Sequence, residues 1–166
     1  MRKIISLDGE ITAEDLIQRI AESEKSEPAH IHSDEENELF IKRHRLCALL
    51  NDIDFTIENY GLVNFFTEYS DQIPDLIELS KLLEEFNEEE VVKAINSSLT
   101  FYNSNKARFQ YLESAPDDYD NVYEQLENEL KKLNETDNFH LLLNQSIANL
   151  ASYIQSNHQE FFSLSS

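Results

Sequence analysis

Apolar residues recur at intervals of three and four along most of the chain. This spacing places them on one face of an α helix, whereas a half-buried β strand alternates apolar and polar residues. The longest apolar stripe has spacings of 7, 4, 3 and 4 and consists of Leu39, Leu46, Leu50, Ile53 and Ile57. Ser33 and Glu36 have the capping-box spacing of a helix start. The pattern therefore predicts a long helix that begins at Ser33 and reaches Asn59, before Gly61.

Shorter stripes predict further helices on both sides of the long one. The first helix starts at Thr12, whose side chain can cap a helix, and ends in the polar run of residues 22–28. Ser70 and Asn87 are the expected caps of the next two helices, and Pro74 falls in an opening turn, where its missing N–H costs least. The stripes that follow the long helix lie within residues 70–86, 87–102, 119–133 and 139–154.

Three segments lack a long helical stripe. The aromatic segment of residues 62–69 is too short for a full helix and predicts one or two packed helical turns. Residues 103–116 predict a loop with a single helical turn near Phe109, and residues 3–7 can form a short strand. The sequence therefore predicts an all-α fold of about six helices, with at most one short N-terminal strand.

The length of 166 residues is enough for one hydrophobic core. We therefore expect a single acidic helical domain, with an N-terminal arm and short helix in residues 1–32 and a helical core in residues 33–162. Cys47 is the only cysteine and stands within an apolar run, which predicts a buried thiol and excludes an intramolecular disulfide.

The charge is strongly negative, with 33 acidic and 13 basic residues and a net charge of −20. The hydrophobic share of 40% argues against disorder, so a folded acidic domain is expected. Such a domain is repelled by nucleic acid and by anionic membranes, and its electrostatically steered partners are basic. The N-terminal residues contain no apolar run of signal-peptide or membrane-spanning length, so the cytoplasm is the expected location.

No motif for cofactor binding or catalysis is evident. Glycine occurs only at positions 9 and 61, which excludes a glycine-rich phosphate loop. The acidic run of residues 118–129 fails as a calcium loop, because Val122 and Tyr123 occupy its fifth and sixth positions. We expect no cofactor and no catalytic residue.

The five histidines do not form a metal-ligand or catalytic pattern either. His30 and His32 are interpreted as part of a loop that leads into a helix cap, because no cysteine accompanies them. His44, His140 and His158 are scattered, and no serine, threonine or cysteine stands in a nucleophile motif. The sequence therefore predicts no metal site.

Acidic residues form two stripes at helical spacing. The first stripe has spacings of 4, 3 and 7, which confine it to an arc of about 80° on one helix, and consists of Asp71, Asp75, Glu78 and Glu85. The second consists of Asp120, Glu124 and Glu127, preceded by Asp117 and Asp118. Lys131 stands four residues after Glu127 and is expected to neutralise that end. Such stripes are usually solvated surface, but they could also imitate a line of DNA phosphates.

The segment of residues 58–70 resembles the signature of a bacterial family of small acidic all-helical proteins that includes a DNA mimic. In that signature an Asn- and Gly-containing turn leads to an aromatic pair and a second turn. The matching positions are Asn59, Gly61, Phe65, Phe66 and Ser70. Tyr60 and Leu62 stand where the family has Gly and Phe. Together with the following helix pair and the C-terminal residues 153–161, the similarity spans residues 46–162.

The resemblance implies an all-helical and often dimeric domain, one member of which occupies the DNA-binding surface of a transcription regulator. A homodimer is therefore a further expected assembly. In the signature itself, the Asn and Gly positions make a turn and the aromatic pair fills the core. Mimicry would therefore depend on the acidic stripes.

These observations predict a non-enzymatic acidic protein that binds a basic protein surface, most simply as a DNA mimic on a basic DNA-binding protein. It would bind neither nucleic acid nor membrane directly. One alternative is an immunity or antitoxin-like inhibitor of a basic toxin nuclease, which acidic faces suit equally well. The other is an enzyme with a carboxylate site, which a buried cluster of acids facing a pocket would favour.

Overall fold

Helices make up most of the described protein. A computed structural model describes residues 12–23, 34–134 and 139–157. Within these ranges the fold is all-α, as predicted, and contains no strand. The seven α helices are α1 (Ala13–Ser23), α2 (Asp34–Thr67), α3 (Ile73–Glu84), α4 (Glu89–Ser104), α5 (Lys106–Glu113), α6 (Tyr119–Leu133) and α7 (Phe139–Ser156). The strand considered for residues 3–7 and the cap expected at Ser33 lie outside the described residues.

Helix α1 begins as its sequence predicts. The backbone N–H of Asp15 donates a hydrogen bond to the Oγ1 atom of Thr12 at 3.1 Å, which satisfies one of the unpaired donors of the first turn. Leu16, Ile17 and Ile20 are fully buried. The predicted cap and the predicted apolar face are both confirmed.

Helix α2 is divided by a glycine. Gly61 has φ 80° and ψ 165°, a conformation that residues with a Cβ atom almost never adopt. The helix therefore kinks sharply at this residue and continues to Thr67, so residues 62–67 form the short helical piece that the aromatic pattern predicts. In this piece Phe65 and Phe66 are completely buried.

Two predicted helix caps are wrong. Ser70 opens a short 3-10 turn, Ser70–Gln72, and its side chain caps no helix. Asn87 has φ 56° and follows the end of α3 in the left-handed conformation, which asparagine tolerates better than most residues. Glu88, not Asn87, precedes α4. The proline prediction is confirmed, because Pro74 lies in the first turn of α3.

The segment after α4 is a helix where a loop is predicted. Helix α5 runs from Lys106 to Glu113 and buries only Phe109 and Leu112. Two buried apolar residues in eight make too short a stripe to be recognised from spacing. The helix ends before Ala115, which has φ 49°, a left-handed conformation that is unfavourable for alanine.

The chain divides into two compact units. The first consists of Met1–Asp52 and Asn144–Ser166, and the second, which we call the acidic unit, is Ile53–Leu143. Within the acidic unit the ring of Phe66 stacks on Tyr102 at 4.9 Å and meets Phe109 edge-on at 5.6 Å. Helices α3 and α4 contribute buried aliphatic residues to the same unit, among them Leu76, Leu79, Leu83, Val91 and Ile95.

Membrane insertion can be assessed for the described helices. None of them is long and apolar enough to cross a lipid bilayer.

The kink predicts a specific response to substitution at Gly61. Gly61→Ala should lower the free energy of unfolding by about 1–3 kcal/mol, because the Cβ atom is strained by the backbone conformation. Steric collision is not the cause, since the nearest atom to the added Cβ is the Tyr123 hydroxyl at an ordinary 3.6 Å. The double variant Gly61→Ala with Tyr123→Phe should therefore recover none of the loss in urea unfolding. Recovery in the double variant would contradict the assigned conformation.

The backbone at Ala115 predicts the opposite effect. Ala115→Gly should raise the free energy of unfolding by about 1 kcal/mol, because a left-handed alanine is strained by roughly that amount. Ala107→Gly is the matched control, because Ala107 is an exposed residue within α5. There the same change should cost about 0.5–1 kcal/mol. Equal destabilisation by both glycines in urea unfolding would show that Ala115 is not left-handed.

Candidate functional site

The first predicted acidic stripe does not lie on one continuous helix. Asp75 and Glu78 belong to α3, whereas Asp71 lies in the 3-10 turn before it and Glu85 is the residue after its last turn. Asp71 and Glu85 are exposed, and Asp75 and Glu78 are half-buried. The prediction that all four residues share an arc of about 80° on one helix is therefore wrong for Asp71 and Glu85. The four carboxylates nevertheless lie in one stretch of the acidic unit.

The second stripe surrounds the start of α6. Asp117 and Asp118 precede the helix, and the Tyr111 hydroxyl donates a 2.8 Å hydrogen bond to Asp118. Asp120 and Glu124 are exposed on α6. The remaining member, Glu127, is half-buried, with its Oε2 atom 3.8 Å from Nζ of Lys131. The predicted pairing with Lys131 is confirmed.

Acidic residues outside both stripes extend the negative surface. Glu84, Glu89 and Glu90 are exposed around the connection between α3 and α4. Over the whole acidic unit the sequence has 20 acidic and six basic residues, a balance of −14 out of the chain total of −20. The charge is thus concentrated in this unit.

One basic residue of the acidic unit is held in a bidentate ion pair. Arg108 of α5 donates from both terminal nitrogens to Glu129 of α6, at 2.9 and 2.8 Å. The hydrogen bonds from Arg108 lower the pKa of Glu129, and those to Glu129 raise the pKa of Arg108. This pair joins two helices and leaves fewer cations to offset the exposed carboxylates.

Tyr111 and Tyr119 lie beside acidic residues, and the pKa values of both phenols are raised. Donation to Asp118 raises the pKa of Tyr111 above its ordinary value. The pKa of Tyr119 is raised first by burial and then by the charges of Glu68 and Asp120. Both phenols stay protonated at neutral pH, and that of Tyr111 donates a hydrogen bond.

A histidine and two carboxylates meet elsewhere in the acidic unit. Asp54 and Glu58 lie one turn apart on α2, and His140 lies in the first turn of α7. The Nδ1 atom of His140 is 3.0 Å from Oδ1 of Asp54, and its Nε2 atom is 3.7 Å from Oε1 of Glu58. We call these three residues the histidine cluster. One possible ligand atom from each lies within 4.8 Å of those of the other two.

A small cleft borders the histidine cluster. It has a volume of about 160 Å³ and is lined by Ile57, Gly61, Leu62, Val63, Glu127, Leu130, Lys131, Asn134, Phe139 and His140. The side chain of Asn134 donates to the Ser98 hydroxyl at 3.2 Å, while its buried Oδ1 atom has no hydrogen-bond partner among the described residues. The cleft thus combines apolar walls with polar groups from α6 and α7.

Sequence reasoning missed the histidine cluster because its members are far apart in the chain. His140 and Asp54 are separated by 86 positions, and no local motif marks either residue. His44, the other described histidine, is buried and contacts the ring of Phe40, with 4.0 Å between centroids. His30, His32 and His158 lie outside the described residues. The thiol of Cys47 is buried, as predicted.

Comparison of the chain with protein-family models, curated proteins and solved structures finds no match.

The Arg108–Glu129 pair predicts a pH-dependent contribution to stability. The folded-state pKa of Glu129 is below the ordinary 4.5, so its stabilising effect is present above that value and is lost as the pH falls through the folded pKa. At pH 7 the Glu129→Gln variant should be less stable than the parent by up to about 1 kcal/mol, the upper range for exposed ion pairs. The difference, measured by urea unfolding at a series of pH values, should disappear below pH 4.5.

Glu124→Gln is the control for this measurement, because it removes an exposed carboxylate from the same helix. It lacks the bidentate partner of Glu129 and should show a smaller effect at pH 7. Matching stability profiles for the two variants would contradict the importance of the pair.

Proposed function

We propose that this protein is a non-enzymatic acidic binder that occupies a basic protein surface, most simply the DNA-binding face of a basic protein. The observation that carries the proposal is the excess of acidic residues in the acidic unit, which has 20 acidic and six basic residues and in which many of the described carboxylates are exposed. Two of those six bases, Arg108 and Lys131, already contact carboxylates of the same unit. A surface of this kind attracts and orients cationic partners.

The arrangement of the carboxylates supports recognition of a groove or cleft. On α6 the exposed Asp120 and Glu124 are separated by one helical turn, a rise of about 6 Å. Asp71 and Glu85 flank α3 and are exposed as well. Because these side chains are borne on or beside helices, their spacing is fixed before binding, which lowers the entropy lost on association.

The alternative of an enzyme has one observation in its favour. Asp54 is a buried residue, and its partner His140 borders the cleft. An orienting carboxylate with a histidine is part of many general-base sites. However, none of the described residues that line the cleft is a serine, threonine, cysteine or tyrosine. The acidic residues singled out from the sequence do not build this site, apart from Glu127, so binding remains our proposal.

The binding surface can be tested with a charge-matched pair of variants. The surface variant carries Asp71→Asn, Glu85→Gln, Asp120→Asn and Glu124→Gln, all at exposed positions of the acidic unit. The control variant carries Glu14→Gln, Asp34→Asn, Glu35→Gln and Glu38→Gln, all at exposed positions of α1 and α2. Each variant loses four negative charges, and circular dichroism checks that both remain helical.

Each variant and the parent serve as bait for proteins from the native cell, and the captured proteins are quantified by mass spectrometry. Basic proteins held by the parent and by the control should be lost from the surface variant. Their retention should fall steeply with added salt, because exposed charges are screened over about 8–10 Å at physiological ionic strength. Equal capture by the surface variant and the control would contradict the proposal. Capture of a basic nuclease would instead favour the inhibitor alternative.

A further inference from the structure

We propose that the histidine cluster of Asp54, Glu58 and His140 binds a divalent transition-metal ion. This site goes beyond the proposed binding function, because none of its three residues belongs to the acidic stripes. The donor types fit such an ion, since Zn²⁺ and Mn²⁺ accept imidazole nitrogen and carboxylate oxygen. The charge also fits, because two carboxylates balance a divalent cation.

The backbone brings the three side chains together without a sequence motif. Asp54 and Glu58 are four residues apart on α2, so their side chains leave the same helix face one turn apart. His140 comes from the first turn of α7 and meets both carboxylates, one with each ring nitrogen. A single ion can take only one of the two ring nitrogens, so the geometric basis of the site is that one nitrogen lies near an oxygen of each carboxylate.

The separations of the donor atoms are close to those of a metal site. One ligand atom from each residue lies within 4.8 Å of the others. Tetrahedral bonds of about 2.0–2.2 Å to zinc place ligand atoms roughly 3.3–3.6 Å apart, so the His140–Asp54 contact at 3.0 Å must open slightly and Glu58 must adjust its position around an ion. The Glu58 side chain is 58% exposed, which leaves room for the required change of rotamer.

The other two members of the histidine cluster are already held in place. The side chains of Asp54 and His140 are only 13% and 20% exposed, and their contact at 3.0 Å restricts the orientation of the ring. A carboxylate this deeply buried is costly unless a positive or donating group compensates it. A bound cation adds to the compensation that Asp54 receives from its neighbours.

The cleft gives the ion access to solvent and to a small ligand. His140 is one of the residues that line the cleft. Three protein ligands leave at least one position of a tetrahedral ion open, and water occupies such a position in other sites of this kind. Asn134 lines the same cleft and adds a polar group to it.

The direct test is metal binding by the 166-residue chain after treatment with a chelator. ZnCl₂ and MnCl₂ are titrated separately by calorimetry, and thermal unfolding is followed with and without each metal. One ion should bind per chain and raise the unfolding temperature, because it binds the folded state in preference to the unfolded one. No binding of either metal, or no effect on unfolding, would overturn the proposal.

The Glu58→Gln variant distinguishes metal binding at the histidine cluster from unspecific attraction of cations to the acidic surface. Glu124→Gln is the matched control, because it removes the same charge from an exposed residue that does not line the cleft. Loss of an outer-shell group costs about 10–100-fold in metal affinity, so loss of a ligand should cost at least tenfold. The control should bind like the parent. Equal affinities for Glu58→Gln and Glu124→Gln would show unspecific binding and overturn the site.

His140→Gln tests the nitrogen ligand. Circular dichroism checks that this variant folds. If it does not fold, the Glu58→Gln variant decides the test, because Glu58 is exposed and its substitution should leave the fold intact. Co²⁺ is titrated in place of zinc, because its visible absorption reports ligand type and coordination number. The Co²⁺ spectrum of the folded His140→Gln variant should differ from that of the parent, and the variant should bind Co²⁺ at least tenfold more weakly. An unchanged spectrum would overturn the assignment of His140 as a ligand.

Discussion

The structure depends on a buried aromatic and aliphatic core that holds together helices with mutually repelling outer surfaces. In the acidic unit the rings of Phe66, Tyr102 and Phe109 pack against one another, with centroids 4.9 to 5.6 Å apart. Burial of apolar area stabilises a fold by about 25 cal/mol per Å² and is insensitive to the sign of surface charge. Repulsion among exposed carboxylates is weakened by salt over about 8–10 Å. Core burial can therefore sustain a surface whose charge is far from neutral.

The connection between core and surface passes through Gly61. Its backbone conformation lets α2 change direction, so that Phe65 and Phe66 are buried directly after the kink. The Tyr123 hydroxyl lies close to the glycine, and Tyr123 belongs to α6, the helix that carries Asp120 and Glu124. A single residue without a side chain thus allows the aromatic segment to pack while an acidic helix approaches it.

Much of the fold could be predicted from the sequence, because long apolar stripes at helical spacing specify buried helix faces. Thr12 and Pro74 also acted as predicted at helix starts. Asn87 did not, because the same side chain that can cap a helix start also tolerates the left-handed backbone after a helix end. The acidic residues were identifiable one by one, whereas the contact of His140 with Asp54 is created by tertiary folding across 86 positions.

We propose above all that the acidic unit and DNA compete for one basic protein surface. The most direct measurement is a competition titration. A basic DNA-binding protein that this chain captures is first loaded with a fluorescent DNA duplex, and the acidic protein is then added. Added acidic protein should release all of the DNA, because both ligands need the same surface. The concentration needed should match the affinity of the acidic protein for the partner. A complex that holds the DNA and this protein at the same time would contradict the account.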